Sequence, residues 1–160
     1  MKVMHFRSIA ATILLLCCLA SGAQAQENGR GLGIILEGFA GSGSGAGAVI
    51  GYHFGQHFFT GAGVSIQYSP DTFLIPVFAD ARITFGNSLW SPSAGVGAGF
   101  LAGAMSLKAE MDKTIRPYAS ITLGLRRREL GAEGNGSLWL GVCGEMAETL
   151  LLSLRIGYGF

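Results

Sequence analysis

The chain has 160 residues, 26 of them glycine and four proline, with 49% apolar and 13% charged side chains, a formal net charge of +1 and a mean hydropathy of +0.44. So much apolar character with so little charge excludes an intrinsically disordered chain, and glycine without a triplet period or abundant proline excludes a collagen-like one. The hydropathy is that of a membrane protein, yet the longest apolar run, Ile9 to Ala20 broken only by Thr12, is shorter than the ~20 residues of a spanning helix.

The N-terminal segment accounts for that run. Residues 1–25 combine a basic start (Lys2, His5, Arg7), an apolar stretch from Ile9 to Leu19 and the small-residue end Ala23-Gln24-Ala25, which is the pattern of a secretory signal cleaved between Ala25 and Gln26. The apolar stretch is too short for a membrane anchor, and Cys17 and Cys18 follow leucines where lipid attachment needs small residues. The remainder, residues 26–160, is predicted to be one domain. It keeps one cysteine, Cys143, so it forms no internal disulfide. Nine Lys and Arg against ten acids leave it a net charge of −1, with no footprint for nucleic acid and no polybasic membrane patch.

Within that domain the repeating signal has a period of two, as in strands whose successive side chains point to opposite sides. Strands are predicted at residues 32–40 and 45–54, separated by the turn signal Gly41 to Ser44 and closed by Gly55-Gln56-His57. Gly47, Gly51 and Gly55 have the spacing of a helix-packing motif, but glycine is so abundant here that the spacing arises by chance, and a helix would lose about 1 kcal/mol per glycine. In a third strand, 58–68, Phe58, Thr60, Ala62, Val64, Ile66 and Tyr68 alternate with Gly61, Gly63, Ser65 and Gln67. After Ser69-Pro70-Asp71-Thr72 comes the clearest one, 73–85: the odd positions from Phe73 to Phe85 are all apolar, whereas the even ones include Asp80, Arg82 and Thr84. A fifth strand, 90–101, sets Trp90, Ala94, Val96, Ala98 and Phe100 against serine and glycine. A longer connector from Ala102 to Lys113 leads to strands at 114–126, 136–145 and 149–160, joined by turns at Arg127 to Asn135 and Met146-Ala147-Glu148. The last strand opposes Leu150, Leu152, Leu154, Ile156, Tyr158 and Phe160 to Ser153, Arg155, Gly157 and Gly159.

Eight strands of this length match tilted membrane-crossing strands of about 9–11 residues rather than the shorter strands of soluble sheets. A soluble ligand-binding barrel, the competing architecture, turns its apolar face inward. Here the other face reads as glycine, serine, threonine and a few charges, which suits the crowded lumen of a narrow barrel and not an apolar ligand cavity. Aromatic residues fall at the strand ends, with Tyr52, Phe54, Phe58, Phe85, Trp90, Tyr158 and Phe160 near one rim and Tyr68, Phe73 and Phe100 near the other, as in the girdles of membrane barrels.

On these residues the domain resembles the small outer-membrane barrels of the OmpA and OmpX type over essentially all of residues 26–160. The resemblance implies an all-β, eight-stranded antiparallel up-and-down transmembrane barrel in a bacterial outer membrane, monomeric, with both termini in the periplasm. It also implies that the ending with Tyr158 and Phe160 resembles the signal read by the barrel-assembly machinery.

Few charges remain for the lumen. Glu37, Asp80, Arg82 and Arg155 fall at similar heights and Arg116 higher, so a lumen without bulk water predicts a paired network plugging the barrel. A narrow ion path is the functional alternative for the same residues. His53 and His57 flank a turn with no Ser-His-Asp spacing, so neither is assigned to catalysis and both are expected at the surface or the membrane interface. Cys143 is expected to pack within a strand, and no His, Cys, Asp or Glu cluster has metal-ligand spacing, so no cofactor is expected. The basic run Arg126-Arg127-Arg128 is expected as a solvated turn, and the hairpin 102–113, with Lys108, Glu110, Asp112 and Lys113, as the surface offered to a partner. The expected role is structural or surface-interactive; a barrel enzyme acting on lipid A is the catalytic alternative.

Overall fold

A computed structural model describes residues 30–69, 72–106, 115–130, 136–146 and 150–160. The expected signal segment with Ala25 and Gln26, and residues 107–113 of the expected partner hairpin, lie outside them. The described residues form eight strands: β1 (Arg30–Gly41), β2 (Ser44–Phe54), β3 (Phe58–Ser69), β4 (Thr72–Thr84), β5 (Trp90–Ser106), β6 (Arg116–Leu130), β7 (Gly136–Met146) and β8 (Leu150–Gly159). Each strand pairs antiparallel with the next, and β8 pairs with β1, so the sheet closes into an all-β up-and-down barrel with no edge.

The alternation places the strands, and hydrogen-bonded partners then move two of their ends. β5 continues to Ser106, past the expected start of the loop at Ala102, because Ala104, Met105 and Ser106 find partners in Leu74, Phe73 and Thr72. β6 runs through the basic segment expected as a turn, because Arg126 and Arg127 pair with Ser91 and Trp90 on one side and with Trp139 and Leu138 on the other. The strand breaks step only between Arg127 and Leu130, at a bulge where Glu129 adopts φ 62°. In β4 a second irregularity falls between Leu74 and Pro76, where a residue without an N–H cannot donate to the ladder.

The pairing fixes the tilt. Stepping from Gly31 through His53, Phe59, Arg82, Gly95, Thr122, Cys143 and Ser153 leads back to β1 at Gly41, ten residues beyond the start. A stagger of that size on eight strands tilts them by roughly 35–45° and leaves an interior just wide enough for side chains. The sheet curves so tightly that a Cβ on Gly51 would lie 2.6 Å from the Cα of its partner Gly61, and one on Gly124 would lie 2.6 Å from that of Gly141. Only glycine permits so close an approach.

The outer face carries the apolar set read from the sequence: Leu32, Ile50, Ile66, Val96, Leu123, Leu154 and their alternates are exposed. The inner face differs from the expected glycine-and-serine surface. It holds Phe39, Phe59, Phe78, Tyr118 and Trp139, all buried, together with Ile35, Val49, Leu74, Leu101 and Leu151. The glycines make room for the rings: a Cβ on Gly63 would come within 2.8 Å of Phe78, and one on Gly45 within 2.7 Å of Phe39.

Candidate functional site

The interior is where ionisable groups converge. Glu37 projects inward from β1, Asp80 and Arg82 from β4, Glu145 from β7 and Arg155 from β8, each no more than 7% exposed. Arg82 donates from Nε to Asp80 Oδ2 at 2.6 Å and from Nη2 to Glu37 Oε1 at 2.6 Å. Arg155 donates from Nη1 to Glu37 Oε2 at 3.2 Å and from Nη2 to Glu145 Oε1. The same Glu145 oxygen accepts from the Tyr118 hydroxyl at 2.6 Å and from Gln67 Nε2 at 3.0 Å. Asp80, Arg82, Glu37, Arg155, Glu145 and Tyr118 thus form one continuous chain of charge-assisted hydrogen bonds across the barrel.

The aromatic side chains are part of this arrangement. The Arg82 guanidinium lies 5.3 Å from the centre of the Trp139 ring and that of Arg126 lies 4.9 Å from it, while Arg155 lies 5.5 Å from Phe39. Cation–π contact with a desolvated ring supports a guanidinium that water cannot reach. With Arg126 included, three arginines (Arg82, Arg126, Arg155) face three carboxylates (Glu37, Asp80, Glu145). A cavity of about 20 Å³, lined by Glu37, Arg82, Trp139 and Arg155 among others, lies beside them, roughly room for one water.

Four residues expected to share the lumen, Glu37, Asp80, Arg82 and Arg155, therefore stand in direct contact. Arg116 lies apart from them, half-buried at the far end of β6 opposite Leu101. Glu145, Gln67 and Tyr118 were not singled out by sequence reasoning, although Glu145 has the same parity in β7 as Cys143 and Tyr118 the same parity in β6 as Arg116. Parity alone would have pointed them inward; their meeting with Arg155 requires the stagger of the strands.

Other expectations are corrected. His53 is not at the surface but is 3% exposed inside the barrel, its ring 4.7 Å from that of Phe59, because its position in β2 shares the inward parity of Val49. His57 lies on the exposed β2–β3 turn. The basic run is no free turn. Arg126 is buried and donates to the Gln56 carbonyl at 3.2 Å, while Arg128 donates to Gln56 Oε1 at 3.1 Å and to the Gly86 carbonyl at 2.9 Å. These arginines tie the end of β6 to the β2–β3 and β4–β5 connections at the end of the barrel where β1 begins. Cys143 is fully buried on the inner face of β7.

Of the expected girdle, Tyr52, Phe54, Phe58, Phe85, Trp90 and Phe160 are exposed on the outer face toward the end where β1 begins, with Tyr158 half-buried beside Phe160 at a ring separation of 4.8 Å. Tyr68 and Phe73 meet at 5.0 Å near the opposite end. Phe100 is displaced from that rim: it lies within β5 opposite Val77 and Pro117, because β5 runs on to Ser106. Among the described residues no group of three or more His, Cys, Asp or Glu could hold a metal ion.

Known structures share this architecture. The chain is similar to the N-terminal β-barrel domain of Pseudomonas aeruginosa OprF, with 16% identity and a TM-score of 0.65 over 81% of this chain and 95% of that one. Neisserial surface protein A, NspA, aligns with 14% identity and a TM-score of 0.58 over 80% of this chain and 92% of its own. A de novo designed transmembrane β-barrel aligns at 18% identity with a TM-score of 0.50, over 84% and 97%. The chain shares their fold. No protein-family model matches the sequence, and no curated protein matches it.

Proposed function

We propose that this protein is a small integral barrel of a bacterial outer membrane, exported through a cleaved signal segment, with a structural or surface-interaction role and a lumen closed by its charge network. The observation that carries this reading is the inversion of the usual soluble arrangement: large apolar side chains such as Leu32, Leu123 and Leu154 are 60–67% exposed, whereas three carboxylates and three arginines are buried. A continuous apolar belt of this extent suits lipid and not water. Closure of the sheet supports the same reading, because each strand is paired on both sides and no strand edge is left for a second copy. The ion pairs and the rings packed around them support a closed lumen. On this reading the barrel works as a monomer held by outer-membrane lipid after insertion by the assembly machinery, and residues 102–113 are the surface offered to a partner.

Membrane insertion is tested by gel mobility in SDS before and after boiling. A folded barrel migrates at a different position before heating, and identical migration would overturn the assignment. Closure of the lumen is tested separately by conductance across a planar bilayer: the reconstituted barrel is expected to show no steady open level, and a stable ohmic channel would replace the closed lumen with an ion path.

A further inference from the structure

We infer that two outward-facing arginines at the end of the barrel where β1 begins, Arg127 and Arg30, are binding sites for the headgroup phosphate of anionic phospholipid. This rests on the membrane reading above. Arg127 continues the outer face that holds Leu123 and Leu125, so its stem lies on the apolar belt and its guanidinium at the boundary. That guanidinium sits 5.6 Å from the centre of the exposed Trp90 ring. A guanidinium held over an exposed indole at the edge of an apolar belt is half of a phosphate site; a phosphate oxygen supplies the other half through a charge-assisted hydrogen bond.

Arg30 repeats the arrangement on another part of the rim. It is exposed, and with Tyr52 and Phe54 it lines an open pocket of about 600 Å³ whose two rings meet edge to face at 4.9 Å. A phosphate beside Arg30 would leave the glycerol and upper acyl chain against those rings. The neighbouring Arg126 and Arg128 instead direct Nη donors to Gln56 and Gly86. The acid described at this rim, Glu129, is exposed at the bulge. At the opposite rim the outer face presents Met146 and Leu150. Both sites open sideways onto the apolar belt, which favours a lipid over a free anion.

Native mass spectrometry of the full chain in detergent micelles tests this, after the heat-dependent gel shift has been recorded. The folded protein is expected to retain phosphatidylglycerol at least tenfold more than phosphatidylcholine, and the double variant Arg30→Gln/Arg127→Gln to lose at least tenfold of that retention with its gel shift intact. Equal retention of the two lipids by the unaltered chain, or undiminished retention by the variant, would overturn the sites. Displacement of phosphatidylglycerol by millimolar inorganic phosphate would assign them to the free anion and overturn the lipid reading. Absence of the gel shift in the unaltered chain would overturn the membrane reading, and the sites with it.

Discussion

The two faces of the same eight strands are built on different rules. On the outer face, Leu32, Val96, Leu123 and Leu154 project singly, each exposed and each replaceable by another apolar side chain. On the inner face every large residue is tied to others: Phe78 lies 5.5 Å from Tyr118, Tyr118 donates to Glu145, Glu145 accepts from Arg155, and Arg155 reaches Glu37. Stability on the outside is therefore a sum of independent contributions, whereas on the inside it belongs to a connected set. An outward apolar wall tolerates exchange; a connected set of interior side chains does not.

Substitutions can break this contrast or sharpen it. The largest loss is expected from Phe78→Ala, which empties a ring-sized space that Gly63 cannot fill, at about 4 kcal/mol in urea unfolding of the refolded barrel. Glu37→Ala leaves Arg82 and Arg155 each short of one carboxylate and is expected to cost about 3 kcal/mol. A cost below about 1 kcal/mol would mean that the interior charges act separately and the contrast fails. Leu154→Ala on the outer face removes apolar area without leaving an enclosed cavity, so about 2 kcal/mol is expected, and its effect should add to that of Phe78→Ala within about 0.5 kcal/mol. The smallest effect belongs to Arg128→Ala, about 1 kcal/mol, felt locally as faster hydrogen exchange in the β2–β3 and β4–β5 turns, which the lost contacts to Gln56 and Gly86 no longer hold.

This difference between the faces also explains what could be read from the sequence. The outer face is legible because lipid asks only for apolar character, so the odd positions from Phe73 to Phe85 are apolar without exception and the strand count follows. The inner face is obscured because its glycines and its rings are complementary only in space. Phe59 beside Phe58 and Phe78 beside Val77 blur the alternation, and nothing local says that Phe78 fills the room above Gly63. Glu37, Asp80, Arg82 and Arg155 were visible as rare charges on the inward parity. Glu145 escaped notice near the end of its strand, and its partners come from β3, β6 and β8. The basic run was misplaced for a similar reason: the carbonyls that hold Arg126 and Arg128 belong to turns some 40 to 70 positions earlier in the chain.

The ion pair between Glu37 and Arg155 joins residues 118 positions apart, and it spans the one junction that no hairpin supplies, where β8 meets β1. Seven pairings can form between neighbours in the chain, each closing a short loop; the eighth must close the whole ring, and its entropic cost rises with the length enclosed. The same two side chains that pair inside the barrel therefore also form a latch on the seam. Until it shuts, the growing sheet has two open edges, and afterwards it has none.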